Sequence, residues 1–509
     1  MRKSGSGIWV TLLICILVLK FIWGLWMASY GNLHLAPDEA QYWVWSQYLD
    51  FGYYSKPPGI AWQIKMGTLL FGNTELGVRF VAICLSSLLS FAVYFLAKCC
   101  GLSTKTACFS AITIALCPIG LIASFAATTD GGFVLFWTLS LALLAKSLRD
   151  KIEPSYLLLG LFILCGALFK WTIFLMWALP LVGLIFYPAW RSKKIILGIL
   201  ISLIAFLPSI VWNSAHEWVT FKHVWTQSTG GNGAAPGNAL EFFLAQFGIM
   251  SPLFFLFFVG AFFALIRKKS AMPEPLCFCT FIAWAILIAY TLLALKQKMQ
   301  INWVVYIYPQ AAVALSWVIC ELKSPNKWFC ASTLLSCFLS VIALSVPWLQ
   351  SNALFSQMKI PYSLNLFKHS LGWENLSPAL VRAGYDPNEH FLVADRYQMS
   401  SILSFYGEDQ KRAYFFNILG MRKNQFSFWT SFKQEQGKDG FFVIVENRPL
   451  EDASRIRAEY EVRLAPYFKE VHFEKMQPLF VSYGLPVKWA LIFKVNHYDG
   501  NVPKDPLRY

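Results

Sequence analysis

Two adjacent carboxylates, Asp38 and Glu39, stand a few residues beyond the first long apolar run, in Ala36-Pro37-Asp38-Glu39-Ala40-Gln41-Tyr42-Trp43. Charged side chains are costly beside a bilayer, and those kept there line a water-filled cavity or bind something. A carboxylate can take the proton of a hydroxyl or hold a substrate's hydroxyls, and a nearby Lys or Arg can neutralise an anionic leaving group. Residues of these types recur beside other apolar runs: Lys56, Arg79, Asp130, Lys170, His216, Glu217, Lys296, Lys298 and Asn302.

The elements that must position them are membrane helices. Of 509 residues 57% are hydrophobic and only 14% charged, with a mean hydropathy of +0.50, against about 25% charged in soluble domains. The first run, residues 8 to 29, is too long and bulky for a cleaved signal peptide and carries Trp9, Trp23 and Trp26, so it reads as a retained anchor. Apolar runs predict eleven spans, near 8–29, 77–98, 106–125, 131–148, 155–169, 171–187, 195–212, 240–266, 277–295, 301–320 and 328–348. With a cytoplasmic N-terminus, fifteen Lys or Arg fall on the inner side, among them Arg2, Lys3, the Arg191-Lys193-Lys194 cluster, Lys268 and Lys269, against seven on the outer side. Fusing the fifth and sixth spans would move that cluster outside, which favours eleven. Lys20, inside the first span, calls for a partner within the bundle.

Residues 1–349 therefore form a polytopic helical domain with a first outer loop at 30–76, and residues 350–509 a soluble domain on the outer side. The tail has 20 Lys or Arg against 17 Asp or Glu. Its apolar runs Phe391-Leu392-Val393-Ala394 and Phe441-Phe442-Val443-Ile444-Val445, with helical periodicity over Glu451–Tyr467 between strands, predict a small α/β domain with its own core. Of the net charge of +15, +12 lies in residues 1–350, where it follows topology; there is no basic stripe or fold for nucleic acid. All twelve cysteines lie at or before Cys337, so a tail facing an oxidising compartment has no disulfides.

This topology sends Asp38, Glu39, Lys56, Asp130, Lys170, His216, Glu217, Lys296, Lys298 and Asn302 to the outer side, where one chamber could hold them. Carboxylates for hydroxyls and lysines for a phosphate point to glycosyl transfer. Nucleotide sugars are generally absent outside the cytoplasm, so the donor is expected to be a polyprenyl-phosphate sugar with its lipid tail between helices. Membrane lipids and a lipid or glycan acceptor complete the expected partners.

The motifs also resemble a family. Pro37-Asp38-Glu39-Ala40-Gln41-Tyr42-Trp43, Gly52-Tyr53-Tyr54-Ser55-Lys56-Pro57-Pro58-Gly59 and Leu76-Gly77-Val78-Arg79-Phe80 are similar to the first outer loop of bacterial family 39 glycosyltransferases, of the GT-C class. Relatives include protein O-mannosyltransferases and lipid A aminoarabinose transferases. Thr128-Thr129-Asp130-Gly131, Phe169-Lys170-Trp171, Trp212 to Trp218, Ala394 to Gln398 and Arg422 to Phe426 extend the likeness in order along the chain. The resemblance implies a GT-C fold of about eleven transmembrane helices with a C-terminal α/β domain in the bacterial inner membrane, its tail periplasmic. It implies an inverting transferase acting on lipid A or lipopolysaccharide core, with Asp38 as base, Glu39 and Asp130 positioning substrate, and Lys56 holding the donor phosphate. Tyr53, Arg79, Lys170, His216, Lys296 and Lys298 are the further candidates for substrate contact. Lys56 neutralises phosphate without a metal; Asp38, Glu39, Asp130 and His216 are the possible ligands if a divalent ion is used, but no cofactor is expected.

Plainer readings stand beside these. Asp38 and Asp130 are helix-capping types, Lys296, Lys298 and Arg79 could be interfacial anchors, and His216 could be a structural contact. Tyr42, Trp43 and Trp45 predict a juxtamembrane helix with one face in lipid. The Gly-rich segment Gln227–Gly237 reads as a gating loop or a plain linker. Protein O-mannosyl transfer is the alternative acceptor reading. A polytopic transporter is the alternative class, disfavoured because no two-half repeat is visible.

Overall fold

The computed structural model describes residues 4–229, 236–267, 272–429, 432–450, 452–504 and 506. Arg2, Lys3, Lys268, Lys269 and residues 230–235 of the Gln227–Gly237 segment lie outside the described residues.

The N-terminal two thirds are helical. In order come α1 (Ser4–Tyr30), α2 (Pro37–Gln47), α3 (Gly59–Phe71), α4 (Glu75–Cys99), α5 (Thr104–Leu116), α6 (Pro118–Ile122), α7 (Thr129–Asp150), α8 (Tyr156–Ala167), α9 (Ala178–Phe186), α10 (Lys194–Leu203), α11 (Phe206–Ser214) and α12 (Val219–Thr229). They continue with α13 (Ala239–Met250), α14 (Pro252–Ile266), α15 (Glu274–Leu293), α16 (Tyr308–Cys320) and α17 (Pro325–Ser351). Among the described residues, six helical segments are long and apolar enough to cross a membrane, or nine if each of three bent pairs is one span. The bends have local causes: Pro118 follows the α5 end and Pro252 opens α14, neither offering a backbone N–H to continue the preceding helix. Two shorter apolar segments, Tyr156–Ala167 and Trp171–Phe186, lie where the fifth and sixth spans are predicted. Lys20 finds its bundle partner in Ser86 of α4, to which Nζ donates at 3.0 Å.

The tail carries α18 (Leu376–Arg382), β1 (Phe391–Ala394), α19 (Tyr397–Tyr406), β2 (Tyr414–Phe415), β3 (Gly440–Glu446), α20 (Ser454–Leu464), β4 (Phe468–Ser482) and β5 (Leu485–Tyr498). Its five-stranded sheet has the order β2-β1-β3-β5-β4. β1 is parallel to both neighbours, with Val393 opposite Tyr414 and Phe391 opposite Gly440, while β3, β5 and β4 run antiparallel. The predicted strands and the helix within Glu451–Tyr467 are present; the structure adds the long β4–β5 hairpin, whose strands show no clean alternation of buried and exposed residues.

One expectation needs correction. The tail has a core of its own on one sheet face, including Phe391, Phe442, Tyr460 and Phe493. The other face is continuous with the first outer loop: Ala40, Trp43, Trp45, Ile60 and Ile64 pack in one cluster with Leu376, Leu380, Ile402, Leu403 and Phe441. Consequently α2 has no lipid face. Trp43 is 2% exposed and Trp45 fully buried, and Trp43 meets Phe405 of α19 edge to face at 4.9 Å. An apolar helix beside a membrane can bury its aromatics against protein as well as lipid, and α19 provides that protein.

Candidate active site

The helix α2 starts where its sequence says it should. Pro37 occupies the first turn, where its missing N–H costs nothing, and Glu39 reaches back to accept from Ala36 N at 3.0 Å. This places the two carboxylates in opposite situations.

Glu39 is buried and saturated. Its oxygens accept from Arg79 Nε (3.0 Å), Arg79 Nη2 (2.9 Å) and Ala127 N (2.9 Å) in addition to Ala36 N. Arg79 is equally spent, donating also to the carbonyls of Leu33 (2.6 Å) and His34 (2.8 Å). The pair ties α2, α4 and the turn before α7 into one unit, and the Glu39 carboxylate has its accepting positions filled by protein donors. Asp38 receives no hydrogen bond from a described residue and opens into a cavity. Removal of water by the surrounding protein still pushes its carboxyl above the ordinary range, helped by Glu39 and opposed by the positive charges of Lys56 and Arg422.

Lys56 approaches from the loop before α3. Gly59 makes that approach possible: its N–H donates to Leu168 O at 2.8 Å, and a Cβ there would lie 2.6 Å from the same oxygen. Gly132 likewise leaves room for the Phe169 ring, which a Cβ would meet at 2.5 Å. Both contacts fix the Phe169-Lys170 turn beside Lys56. Lys170 Nζ donates to Asp130 Oδ1 at 2.9 Å, and Asn302 Nδ2 to Asp130 Oδ2 at 3.1 Å. Burial, then repulsion from Lys170, lowers the pKa of Lys56, while Asp130 and Asp38 act the other way. Lys56 and Lys170 share the wall of a cavity of about 630 Å³ whose remaining lining is largely apolar, including Phe169, Trp171, Phe174 and Leu293.

The tail contributes to this cluster. Arg422 Nη1 donates to His223 Nδ1 at 3.1 Å, and its guanidinium lies 5.7 Å from the centre of the Tyr54 ring. Burial, with Arg422 and Lys56 adding to it, drops His223 to about 3, so it is a neutral acceptor for Arg422. Tyr397, from the β1–α19 junction, bonds Arg422; burial raises its hydroxyl pKa, the Arg422 charge opposes the rise and the nearby Asp38 carboxylate adds to it. Arg422 and Tyr397 sit in motifs visible in the sequence, yet only their meeting with Asp38 and Lys56 across the fold singles them out. No signal in the sequence marks His223.

Other expected contacts fall elsewhere. The Tyr53 ring is buried, stacked on Trp45 at 4.5 Å, and its hydroxyl lies within donating distance of the carbonyls of Trp45 (3.1 Å) and of Tyr48 (3.2 Å), just beyond the end of α2. His216 stacks on Trp212 at 4.0 Å and bonds Trp212 O at 2.7 Å, and Glu217 pairs with Lys423 at 3.2 Å, so this segment holds the tail motif in place. Lys296 and Lys298 are exposed; their neighbours Gln297 and Met299 line the apolar cavity. Among the described residues, no three His, Cys, Asp or Glu side chains gather as a metal-ligand set.

The family model described as dolichyl-phosphate-mannose-protein mannosyltransferase matches residues 55–212, which contain Lys56, Asp130 and Lys170. The chain is 26% identical over 405 residues to the lipid A galacturonosyltransferase RgtD of Rhizobium johnstonii, covering 77% of this chain and 81% of that one. An undecaprenyl phosphate-alpha-4-amino-4-deoxy-L-arabinose arabinosyl transferase of Pseudomonas paraeruginosa is 30% identical over 221 residues, 37% of this chain and 39% of its own. The crystal structure of ArnT from Cupriavidus metallidurans in the apo state superposes with a TM-score of 0.65 at 16% identity, covering 96% of this chain and 98% of that one. The same protein bound to undecaprenyl phosphate gives 0.64 at 15% identity, with the same coverage. The architecture is thus that of an ArnT-like multi-pass membrane protein.

Proposed function

We propose that this chain, which belongs to the family 39 glycosyltransferases of the GT-C class, transfers a sugar from a polyprenyl-phosphate donor to lipid A or lipopolysaccharide core with inversion at the anomeric carbon. The observation that carries the reading is one apolar cavity holding the ammonium groups of Lys56 and Lys170, beside an otherwise unengaged carboxylate, Asp38. Apolar walls suit a polyprenyl chain, and the two ammonium groups suit its phosphate. The alignment with a lipid A galacturonosyltransferase over most of both chains supports the acceptor class.

In the step we propose, Asp38 accepts the proton of the acceptor hydroxyl as its oxygen attacks the anomeric carbon. The carbon–oxygen bond to phosphate breaks, and the phosphate leaves with the electron pair. Lys56 and Lys170 stabilise the charge that develops on it. Asp130, by pairing with Lys170 and Asn302, positions the second lysine, and Asp38 later returns its proton to water. Attack opposite the leaving phosphate inverts the centre. We place the protein in the bacterial inner membrane, crossing eleven times, with the N-terminus cytoplasmic and the tail periplasmic.

Membranes supplied with lipid-linked donor test this directly. Asp38→Asn should lower transfer by about 10²- to 10⁴-fold, the range of a lost general base, with the protein still folded; normal turnover refutes the role of Asp38. An NMR determination of product and donor anomeric configuration checks inversion, and a reporter fused after Tyr509 checks orientation.

A further inference from the structure

Arg422, in the tail, is half-buried. Among the described residues its hydrogen-bond partners are His223, at 3.1 Å, and the Tyr397 hydroxyl, and no carboxylate lies within ion-pairing distance. The Tyr54 ring is also beside it, 5.7 Å from the guanidinium. A neutral imidazole, a hydroxyl and a ring face hold the guanidinium in place without cancelling its charge. A cation kept partly out of water among neutral partners calls for an anion.

The segment carrying Arg422 is fastened to the loop that carries Lys56. Tyr54 is 2% exposed, and its backbone N–H, which needs an acceptor once buried, donates to Gln425 Oε1 at 2.7 Å. Gln425 is itself buried. Tyr53 O accepts from Thr220 Oγ1 of α12 at 3.0 Å, and Phe428 packs against the cluster of Tyr54, Trp212 and Val219. The backbone leading into Lys56 is thus set by the tail, and the same segment brings Arg422 near both Lys56 and Asp38.

Charge balance says which anion fits. Lys170 is paired with Asp130, and Lys56 is offset by Asp38. A bound phosphodiester would leave these groups with one negative charge in excess, and Arg422 removes the excess. In the transfer step Asp38 takes up a proton and loses its charge as the departing phosphate gains one, so the balance holds from donor to product. A guanidinium's planar set of donors suits the oxygens of that phosphate.

We infer that Arg422 is the third cation of the donor-phosphate site, contributed by the tail, and that Gln425 is a positioning residue for the loop bearing Lys56. The inference rests on the transferase reading and adds a substrate contact from outside the membrane domain.

Full-length protein in phosphatidylethanolamine–phosphatidylglycerol nanodiscs, given lipid-linked donor and lipid A, tests this, with polyprenyl phosphate and the phosphate-free polyprenol as competing probes. Arg422→Gln keeps an N–H donor for His223 and removes the charge. It should raise donor KM and the Ki of polyprenyl phosphate by about tenfold, the effect of losing one hydrogen bond to a charged group. The KM for lipid A and the Ki of polyprenol should stay unchanged, and Arg422→Lys should recover most of the lost affinity. The Arg422 charge favours the ionised form of Asp38 and disfavours that of Lys56. Arg422→Gln should therefore move both limbs of the kcat/KM pH profile to higher pH, which lost packing alone would not do. Gln425→Met, the second variant if Arg422→Gln does not fold, removes the acceptor for Tyr54 N and should raise donor KM and polyprenyl phosphate Ki about threefold. An unchanged Ki for polyprenyl phosphate in either folded variant would overturn the assignment. So would a raised KM for lipid A with donor KM unchanged, which would put Arg422 on an acceptor phosphate. Failure of the transferase reading looks different: the unaltered protein would consume no lipid-linked donor.

Discussion

Asp38 and Glu39 share a helical turn and a charge type, yet one is open to a cavity and the other is spent on four donors. This difference makes their variants separable. Glu39→Ala should destabilise the protein by about 3–5 kcal/mol, because it strands a buried Arg79 without its partner; a lowered melting temperature in detergent checks it. Asp38→Asn should cost transfer and leave that temperature nearly unchanged. The pH dependence follows from the shifts at Asp38 and Lys56. The carboxyl is raised above 3.8, so its basic form is lost as pH falls through that higher value. The ammonium is lowered from 10.5, so its positive charge is lost as pH rises through that lower value. The kcat/KM profile should therefore be a bell with both limbs drawn inward, and Lys56→Arg should move the alkaline limb outward. In the sequence, Lys56 stands out through its place in a family motif, while the burial of Tyr53 and Arg79 shows that a motif position does not reveal whether a side chain faces a cavity.

Elements determine how the tail meets the membrane helices. The chain between α1 and α2 carries His34, whose Nδ1 bonds Glu75 at 2.9 Å and Nε2 bonds Glu374 of the tail at 2.6 Å. Tyr406 of α19 adds to the contact, donating to Glu75 and accepting from Leu35 N at 2.6 Å. Burial would lower the pKa of His34, but the hydrogen bonds and charges of Glu374 and Glu75 outweigh it and raise the value from 6.5 to about 9. A raised cation stabilises the folded state fully below its unfolded value and ceases to do so above its folded one. The docking of tail on loop should therefore be at full strength below pH 6.5 and weaken up to about pH 9. His34→Gln should lower the melting temperature at pH 6 and converge on the unaltered protein above pH 9, measured by following Trp fluorescence across pH. None of this was legible in the sequence: Glu374 is 340 positions from His34, and an isolated His carries no sign of the two acids that will flank it.

At the scale of the whole molecule, the tail and first outer loop form one cluster around α2, so residues 350–509 alone would expose Leu376, Leu380, Ile402 and Leu403 where α2 and α3 now cover them. Expressed in isolation, this region should bind a hydrophobic dye and self-associate, whereas the intact chain in detergent should do neither; size-exclusion chromatography with dye fluorescence distinguishes the outcomes. By itself the sequence determined the class of molecule. Apolar run length, charge asymmetry between loops and the paired strands and helix of the tail are local or compositional properties, and each of the eleven predicted apolar stretches falls on a helix, a bent helix pair or a short apolar helix. The tertiary structure decided which polar groups are available for chemistry. Glu39 is withdrawn by Arg79, 40 positions away, and by Ala127, 88 positions away, while Asp38 is left facing a cavity that the docking of the tail closes. A side chain's chemistry is written in its type, but its freedom to act depends on which distant donors reach it first.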